Sequence, residues 1–250
     1  MTDKGYIQEW GLSGVYYEDG EKLEQDPKTG LYYRPSCGEL FVIKEQSQDK
    51  HLDFEGKTVM DVGANIGSFV HLAKSNGAKA IFAYEPMPST WNVLIVNNES
   101  GPSVPVISEN VALVGGEEQT VDFFLSKKYP SCHTTVPVRG RECITVEARN
   151  FWKVLHDNRP EVLKIDIEGA EYDFIFKEPM PSFVEQVAME LHMKNKKQIE
   201  LAKQVVELFS DWHCQKPFKF NWHVTTIVAH RNKPSELGSM KDHLRRVEKM

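Results

Sequence analysis

A glycine turn between an apolar strand and a helix constrains the fold of this chain more than any other stretch. Residues 58–62 (TVMDV) form a short apolar strand, and helical spacing begins at Ile66 and continues to Ser75. Between them, Gly63 can take the backbone angles of a tight turn, and Gly67 lets a ligand or the sheet approach the helix closely. The first amide groups of such a helix face the edge of the sheet. The turn therefore predicts a ligand site at the carboxyl end of the first strand.

From residue 56 onward, apolar strands alternate with helical segments. Further strands are predicted within 80–86, 104–113, 119–125, 143–148, 161–167 and 186–193, and further helices within 91–98, 151–157 and 195–210. Strands that alternate with helices favour a parallel sheet covered on both faces. Two apolar runs at 218–222 and 224–230 predict a terminal antiparallel hairpin. The pattern is that of an α/β fold with a mostly parallel sheet.

The two ends of the chain differ from this central part. Residues 1–55 are rich in tyrosine and glycine and have too few aliphatic residues for a core of their own, so we interpret them as an N-terminal cap. Within the cap, residues 31–43 predict two short strands around a Pro-Ser-Cys-Gly turn. The remaining expected units are a main domain at 56–232 and a helical tail at 233–250.

Composition excludes several classes of protein. The 250 residues carry a net charge of −6, which gives no broad basic surface for nucleic acid or anionic lipid. The four cysteines lie far apart without a C-x-x-C pair, so neither a zinc knuckle nor a redox dithiol is indicated. No apolar run approaches the roughly 18 residues of a membrane span, and the polar N-terminus lacks a signal-peptide core. We therefore expect a cytoplasmic enzyme or binding protein without a membrane span.

Two interpretations of the glycine turn compete with an ordinary strand-to-helix connection. A dinucleotide fingerprint needs glycine at positions 63, 65 and 68, but the chain has Asn65 and Ser68 at the last two. The spacing D-x-G-x-N-x-G from Asp61 to Gly67 is instead that of the first motif of S-adenosylmethionine-dependent methyltransferases. Taken alone, the turn does not separate this interpretation from a bare scaffold.

Glu85 adds weight to the cofactor interpretation. It closes the second strand, 22 residues after Gly63, where an acidic side chain can accept hydrogen bonds from both hydroxyls of an adenosine ribose. The alternative is a surface glutamate that happens to precede a proline. Together, the turn and Glu85 favour a site for an adenosine-containing cofactor.

A second group of polar residues falls on two strands that should be apolar. Lys164, Asp166 and Glu168 share one face of the strand at 161–167, and either an ion pair or a ligand site explains them. Glu190 and His192 repeat this arrangement on the next strand. If the two strands are neighbours, their polar side chains converge at one edge, where open α/β sheets bind ligands. The group fits a hard-metal site with one imidazole, or an imidazole base oriented by a carboxylate.

Several motifs in combination closely resemble FkbM-type S-adenosylmethionine-dependent methyltransferases. They are V-M-D-V-G-A-N-I-G-S-F, A-Y-E-P, S-E-N-V-A-L-V, L-K-I-D-I-E-G-A-E and M-E-L-H, and the likeness covers about residues 56–193. The resemblance implies the class I methyltransferase (Rossmann-like) fold, with a seven-stranded sheet, helices on both faces and a terminal antiparallel hairpin. It also implies O-methylation, often of a sugar hydroxyl on a glycan or a glycosylated metabolite.

The resemblance also implies a set of site residues. The expected cofactor-binding residues are Asp61, Gly63, Ala64, Asn65 and Gly67 in the turn, Glu85 at the ribose, and Glu109, Asn110 and Val111 near the adenine. Asp166 is expected next to the methionine end of the cofactor or the acceptor hydroxyl.

We expect a methyltransferase that moves the sulfonium methyl group to a hydroxyl of a small-molecule or glycan acceptor. His192 is the expected base, with Asp166 and Glu190 either orienting it or joining it in a site for Mg²⁺ or Mn²⁺. The alternatives are a protein, lipid or non-sugar acceptor, or a non-catalytic cofactor-binding protein of the same fold. Nothing in the sequence indicates an oligomeric state.

Overall fold

A mixed eight-stranded sheet forms the centre of the molecule. The computed structural model describes residues 22–45, 51–126, 135, 137–214, 224–232 and 238–239. The strands of the sheet are β3 (Thr58–Val62), β4 (Ala80–Tyr84), β5 (Val106–Glu109), β9 (Val162–Ile165), β10 (Gln186–His192), β11 (His213–Cys214), β12 (Val224–His230) and β13 (Gly238–Ser239). Their spatial order is β13-β11-β12-β10-β9-β3-β4-β5.

Five neighbouring strands of this sheet are parallel, and the other three are antiparallel. Strands β5, β4, β3, β9 and β10 are parallel to one another. Strand β12 pairs antiparallel with β10, β11 pairs antiparallel with β12, and β13 pairs antiparallel with β11. The expected α/β class and the expected strand at 224–230 are confirmed. The expected count of seven strands is wrong for the described residues, because β13 adds an eighth strand at the edge. The predicted hairpin partner of β12, the strand at 218–222, lies outside the described residues. Among the described strands, β11 pairs antiparallel with β12 on the side away from β10.

Helices cover both faces of the sheet, as the alternating pattern predicts. The helices are α2 (Ser68–Ser75), α3 (Pro88–Asn98), α4 (Phe151–Asn158) and α5 (Lys196–Leu208). On one face, side chains of α2 and α3 pack with Val59, Ile81 and Ala188. On the other face, side chains of α4 and α5 pack with Met60 and Leu163. Val59 therefore belongs to one core and Met60 and Val62 to the other, which explains why β3 has apolar residues on both faces.

A second, three-stranded sheet lies beyond the β5 edge. It contains β6 (Ala112–Val114), β7 (Thr120–Phe124) and β8 (Cys143–Asn150), in the order β6-β8-β7. The single strand predicted at 104–113 is thus divided, since its first half belongs to the main sheet and its second half to this one. The division occurs at Asn110, whose side chain donates hydrogen bonds to the carbonyl oxygens of Glu85 and Pro86, at 2.8 and 3.0 Å.

The described part of the N-terminal cap is a small hairpin followed by a helix. Strands β1 (Glu24–Gln25) and β2 (Tyr32–Tyr33) pair, and α1 (Glu39–Glu45) follows a turn at 35–38. The prediction of a second strand after the Pro-Ser-Cys-Gly turn is wrong, because those residues form α1. Leu40 and Ile43 lie one helical turn apart and pack into a cluster that includes residues of both β2 and α3.

The expected helical tail differs from the structure in its described part. Of the expected helical tail, only Gly238–Ser239 is described, and it is a strand rather than a helix. Residues 1–21 and 240–250 lie outside the described residues. In the part of the chain that the structure describes, no helix is both long and apolar enough to cross a membrane.

Candidate active site

A single cleft opens at the carboxyl ends of β3, β4, β9 and β10. Its walls contain the glycine turn, the end of β4, the polar residues after β9 and two residues of α1. The predicted site residues in its walls are Gly63, Ala64, Asn65, Glu85, Val111, Asp166 and Glu190. The glycine turn and the polar edge, which the sequence places 100 residues apart, therefore share one cavity.

The glycine turn has a shape that other residues do not adopt easily. Gly63 has a φ of +83°, and a Cβ atom at this position would collide with the carbonyl oxygen of Asp166. Asn65 is also left-handed, with a φ of +51°. The amides of Gly63 and Ala64 both donate to the carbonyl oxygen of Tyr84, at 2.9 and 3.0 Å. The turn is thus packed directly between β4 and the segment after β9.

Glu85 lies at the wall of the cleft and is held by backbone amides. Its carboxylate accepts hydrogen bonds from the amides of Asn65, at 2.9 Å, and Met87, at 2.8 Å. Burial raises the pKa of Glu85 to about 7, against the effect of these two hydrogen bonds, and the nearby charge of Asp61 raises it further. Each carboxylate oxygen accepts one amide and keeps acceptor capacity for a ligand hydroxyl.

Four predicted cofactor residues do not line the cleft. Asp61 is fully buried beneath it, and Gly67 is the left-handed residue that precedes α2. Glu109 forms an ion pair with Arg149 at 2.6 Å and, with Asn110, lines a neighbouring cleft on the other side of Val111. Val111 alone of the three predicted adenine residues faces the main cleft.

The polar residues of β9 and β10 converge as the sequence predicts. One ligand atom from each of Asp166, Glu190 and His192 lies within 4.8 Å of the other two. Asp166 and Glu190 are part of the cleft wall, together with Glu168. Lys164 also lines the cleft, and its Nζ lies 3.3 Å from Oδ2 of Asp166. The edge is therefore a mixed cluster of charges rather than carboxylates alone.

His192 lies behind this wall and has an acidic group at each ring nitrogen. Its Nδ1 is 3.4 Å from Oε1 of Glu171, and its Nε2 is 3.6 Å from Oε2 of Glu168. Burial opposes the charged form, but the close carboxylate of Glu171, with the charges of Glu168 and Asp166, raises the pKa of His192 to about 9. The ring therefore carries a positive charge at neutral pH in this environment.

Glu171 is a functional candidate that the sequence reasoning missed. It is fully buried, and its carboxylate accepts hydrogen bonds from the amides of Gly169, at 2.8 Å, and His192, at 2.7 Å. It thereby joins the segment after β9 to the end of β10. The motif I-E-G-A-E contains this residue, but nothing in the motif indicates burial, which is rare for a carboxylate.

Glu168 adds a backbone feature to the same segment. Its φ is +58°, a left-handed conformation that is uncommon for a residue with a long side chain. Nζ of Lys194 donates to the carbonyl oxygen of Glu168 at 2.9 Å and so holds this conformation. Left-handed residues of this kind concentrate at functional sites, where the surrounding structure maintains them.

A family model described as the methyltransferase FkbM domain matches residues 61–217. This chain belongs to the FkbM methyltransferase family. The match contains the glycine turn, Glu85 and the whole polar edge, so both ends of the cleft lie in the family's domain. The protein is accordingly an S-adenosylmethionine-dependent methyltransferase. No curated protein matches the chain.

Several solved structures are similar to this chain at low sequence identity. A ribosomal protein L11 methylase from Lactobacillus delbrueckii subsp. bulgaricus has 13% identity and a TM-score of 0.44, with 76% of this chain and 78% of that chain covered. Precorrin-6y C5,15-methyltransferase from Geobacter metallireducens has 14% identity and a TM-score of 0.43, with 84% and 94% covered. Fibrillarin from Aeropyrum pernix, with natively bound S-adenosyl-L-methionine, has 12% identity and a TM-score of 0.41, with 86% and 92% covered.

Proposed function

We propose that this FkbM methyltransferase transfers the methyl group of S-adenosylmethionine to a sugar hydroxyl. The observation that carries the proposal is the single cleft with two different ends. One end has the glycine turn and Glu85, and the other has Asp166 and Glu190. We call them the cofactor end and the acidic end. A donor at the first end and an acceptor hydroxyl at the second would meet within one cavity.

The residues at the cofactor end fit an adenosine-containing ligand. Glu85 retains acceptor capacity for ribose hydroxyls, and Gly63 contributes only backbone to the cleft wall. Val111, Ala112 and Leu113 supply an apolar wall beside them, suited to the adenine ring. The sulfonium of the bound cofactor supplies a reactive methyl group and a good leaving group. The chain itself has to orient the acceptor and remove one proton.

We assign proton removal to Asp166 rather than to His192. Asp166 lines the cleft, whereas both ring nitrogens of His192 face carboxylates and the ring is protonated at neutral pH. In this scheme the acceptor oxygen bonds to the methyl carbon as the carbon–sulfur bond breaks, and the hydroxyl proton passes to the carboxylate. His192 and Glu171 act as positioning residues that fix the segment after β9.

The proximity of three donor atoms supports a second form of the same proposal. Asp166, Glu190 and His192 offer two carboxylates and one imidazole within 4.8 Å, a donor set that would suit Mg²⁺ or Mn²⁺ if the metal displaced the proton from one ring nitrogen of His192. A chelator separates the two forms. Loss of turnover in chelator, with recovery on addition of Mg²⁺ or Mn²⁺, supports the metal. Unchanged turnover supports the metal-free carboxylate.

The acidic end also favours a polyhydroxylated acceptor. Its carboxylates and Lys164 offer several hydrogen-bonding groups for the hydroxyls of a sugar. The test is mass spectrometry of glycans, nucleotide sugars, peptides and lipids incubated with methyl-labelled cofactor. We expect label on a sugar hydroxyl, and an Asp166→Asn variant as control should transfer it about 10²–10⁴-fold more slowly. Label on a peptide or lipid alone would contradict the sugar acceptor.

A further inference from the structure

We propose that α1 of the N-terminal cap is part of the S-adenosylmethionine site and that Phe41 covers the adenosine half of the bound cofactor. The proposal rests on the proposed function, because it requires the cofactor to occupy the cleft. It adds a binding element from a segment that lies outside the matched domain, which begins at residue 61. Phe41 and Val42 both line the cleft, although 20 residues of chain separate them from the glycine turn.

A buried ion pair fixes α1 beside the cleft. The backbone amide of Arg34 donates to Oε2 of Glu39 at 2.7 Å, and its guanidinium pairs with Oε1 of the same residue. The guanidinium also donates to the hydroxyl of Thr90, at 2.9 Å. All three residues are buried, and Thr90 belongs to α3 and lines the cleft. The position of α1 is therefore tied to the cleft wall by directional contacts.

A second contact joins the cap to the helix that begins at the glycine turn. The side chain of Asn97, in α3, accepts from the amide of Tyr32 at 2.8 Å and donates to the carbonyl oxygens of Tyr32 and Ile66, at 3.0 and 2.8 Å. Asn97 is buried, and the hydrogen bonds of its side chain join the cap to Ile66 in the turn before α2. The cap is thus anchored at two places around the same end of the cleft.

These anchors place α1 at the cofactor end rather than the acidic end. Thr90 is in the first turn of α3, five residues after Glu85. Arg34 lies close enough to Glu85 for its charge to lower the pKa of that carboxyl, although burial dominates the shift. Glu85 is the residue assigned to the ribose, so α1 stands over the adenosine half of the site.

The exposure of Phe41 indicates a missing contact at this place. It is 64% exposed, the highest value for a large apolar side chain among the described residues. Its neighbours Leu40 and Ile43 on α1 pack into the cap, so the helix does not need Phe41 for its own packing. An aromatic side chain in a cleft wall can cover the face of a purine or the edge of a ribose. A bound adenosine would remove this ring from water.

The test is calorimetry of the full chain with S-adenosylhomocysteine. Phe41→Ala should raise the dissociation constant about tenfold, and Phe41→Leu should fall between Ala and the parent. Ile107→Ala is the matched control, because Ile107 is 54% exposed but lies outside the cleft wall. It should bind like the parent. Phe41→Ala and Ile107→Ala each truncate an exposed side chain, so both should have the parent's melting temperature in the absence of ligand.

Hydrogen exchange provides a second measurement that needs no variant. Amides of residues 39–44 should exchange more slowly once S-adenosylhomocysteine is bound. Equal affinities for the parent and Phe41→Ala, or unchanged exchange in α1, would overturn the proposal while leaving the methyltransferase function intact. If the parent did not bind S-adenosylhomocysteine at all, the proposed function would fail, and this proposal with it.

Discussion

The two ends of the cleft are built in different ways. At the cofactor end, a backbone turn and two backbone amides hold one carboxylate, Glu85, and the contacts are local to the β3 and β4 segments. At the acidic end, side chains from the β9 and β10 segments hold one another, as in the pairs of His192 with Glu171 and of Lys164 with Asp166. The cofactor end is therefore suited to binding one ligand in a fixed position. The acidic end is suited to accepting or releasing a proton during a reaction.

The difference predicts where substitutions act. Changes at the cofactor end should alter affinity for the cofactor, and changes at the acidic end should alter turnover. Gly63 is the exception, because it touches both ends: a Cβ there would meet the carbonyl oxygen of Asp166.

Gly63→Ala should have the largest effect and should damage both ends together. The positive φ and the collision with the backbone of Asp166 should cost about 4 kcal/mol in the free energy of unfolding. Thermal unfolding and S-adenosylhomocysteine calorimetry measure the two losses.

Gly56→Ala is the matched control for Gly63→Ala. Gly56 has a similar φ of +67°, but a Cβ atom there meets nothing within 4 Å. It should lose only the roughly 1–2 kcal/mol of the left-handed conformation. If the two variants lost the same free energy of unfolding, the collision with Asp166 would contribute nothing to the effect of Gly63→Ala.

Asp166→Asn should reduce turnover by about 10²–10⁴-fold while affinity for S-adenosylhomocysteine stays within about threefold. The amide cannot accept the hydroxyl proton, but it preserves the shape of the wall. The measurement is label transfer to the acceptor identified by mass spectrometry, with calorimetry in parallel. Glu200→Gln, an exposed carboxylate on α5, is the control and should retain parental turnover. A turnover within threefold of the parent in Asp166→Asn would remove the catalytic role of this residue.

Glu85→Ala should weaken S-adenosylhomocysteine binding by about 1.5–3 kcal/mol, the usual value for hydrogen bonds to a charged group. Glu109→Ala provides the comparison, because Glu109 pairs with Arg149 in the neighbouring cleft. Its affinity should match that of the parent. Calorimetry in which Glu109→Ala binds more weakly than Glu85→Ala would reverse the assignment of the two carboxylates.

The pH dependence of stability should show the smallest effect, about 1–3 kcal/mol. Burial raises the pKa of Glu85 from 4.5 to about 7, so the folded state holds this proton more tightly than the unfolded state does. The tighter binding of this proton stabilises the folded state fully below pH 4.5, and the stabilisation is lost as the pH rises through 7. In urea unfolding between pH 5 and 8, the free energy of unfolding should therefore fall more steeply with pH in the parent than in Glu85→Gln. Parallel slopes would show that Glu85 does not titrate in this range.

The sequence predicted the positions of Gly63 and Glu85 but not of every cofactor residue that the resemblance implied, since four of those lie outside the cleft wall. Gly63 and Glu85 directly follow mainly apolar strands, where strand limits alone place them at the sheet edge. The convergence of Asp166 with Glu190 and His192 was also predictable, since it requires only that β9 and β10 be neighbours. The burial of Glu171 was not, because it depends on how the segment after β9 folds back against the end of β10.

Contacts between distant segments account for the other differences. The sequence places Glu109 near the adenine, but Arg149, 40 residues later, pairs with it in the neighbouring cleft. The stretch that forms α1 has apolar residues compatible with a strand, and its helix is selected by the packing of Leu40 and Ile43 on the rest of the cap and on α3. Such long-range packing overrides local propensity and leaves no short sequence signal.

The most direct test of the account is thermal unfolding of the parent protein with S-adenosylhomocysteine or a nicotinamide dinucleotide. The central claim is that one cleft holds an adenosine cofactor of the methyl-transfer class at its glycine turn. At about 100 times its dissociation constant, S-adenosylhomocysteine should add about 2.7 kcal/mol, or roughly 5–10 °C in melting temperature for a chain of this size. The dinucleotide should give no shift. No shift with millimolar S-adenosylhomocysteine, together with a clear shift for the dinucleotide, would contradict the claim.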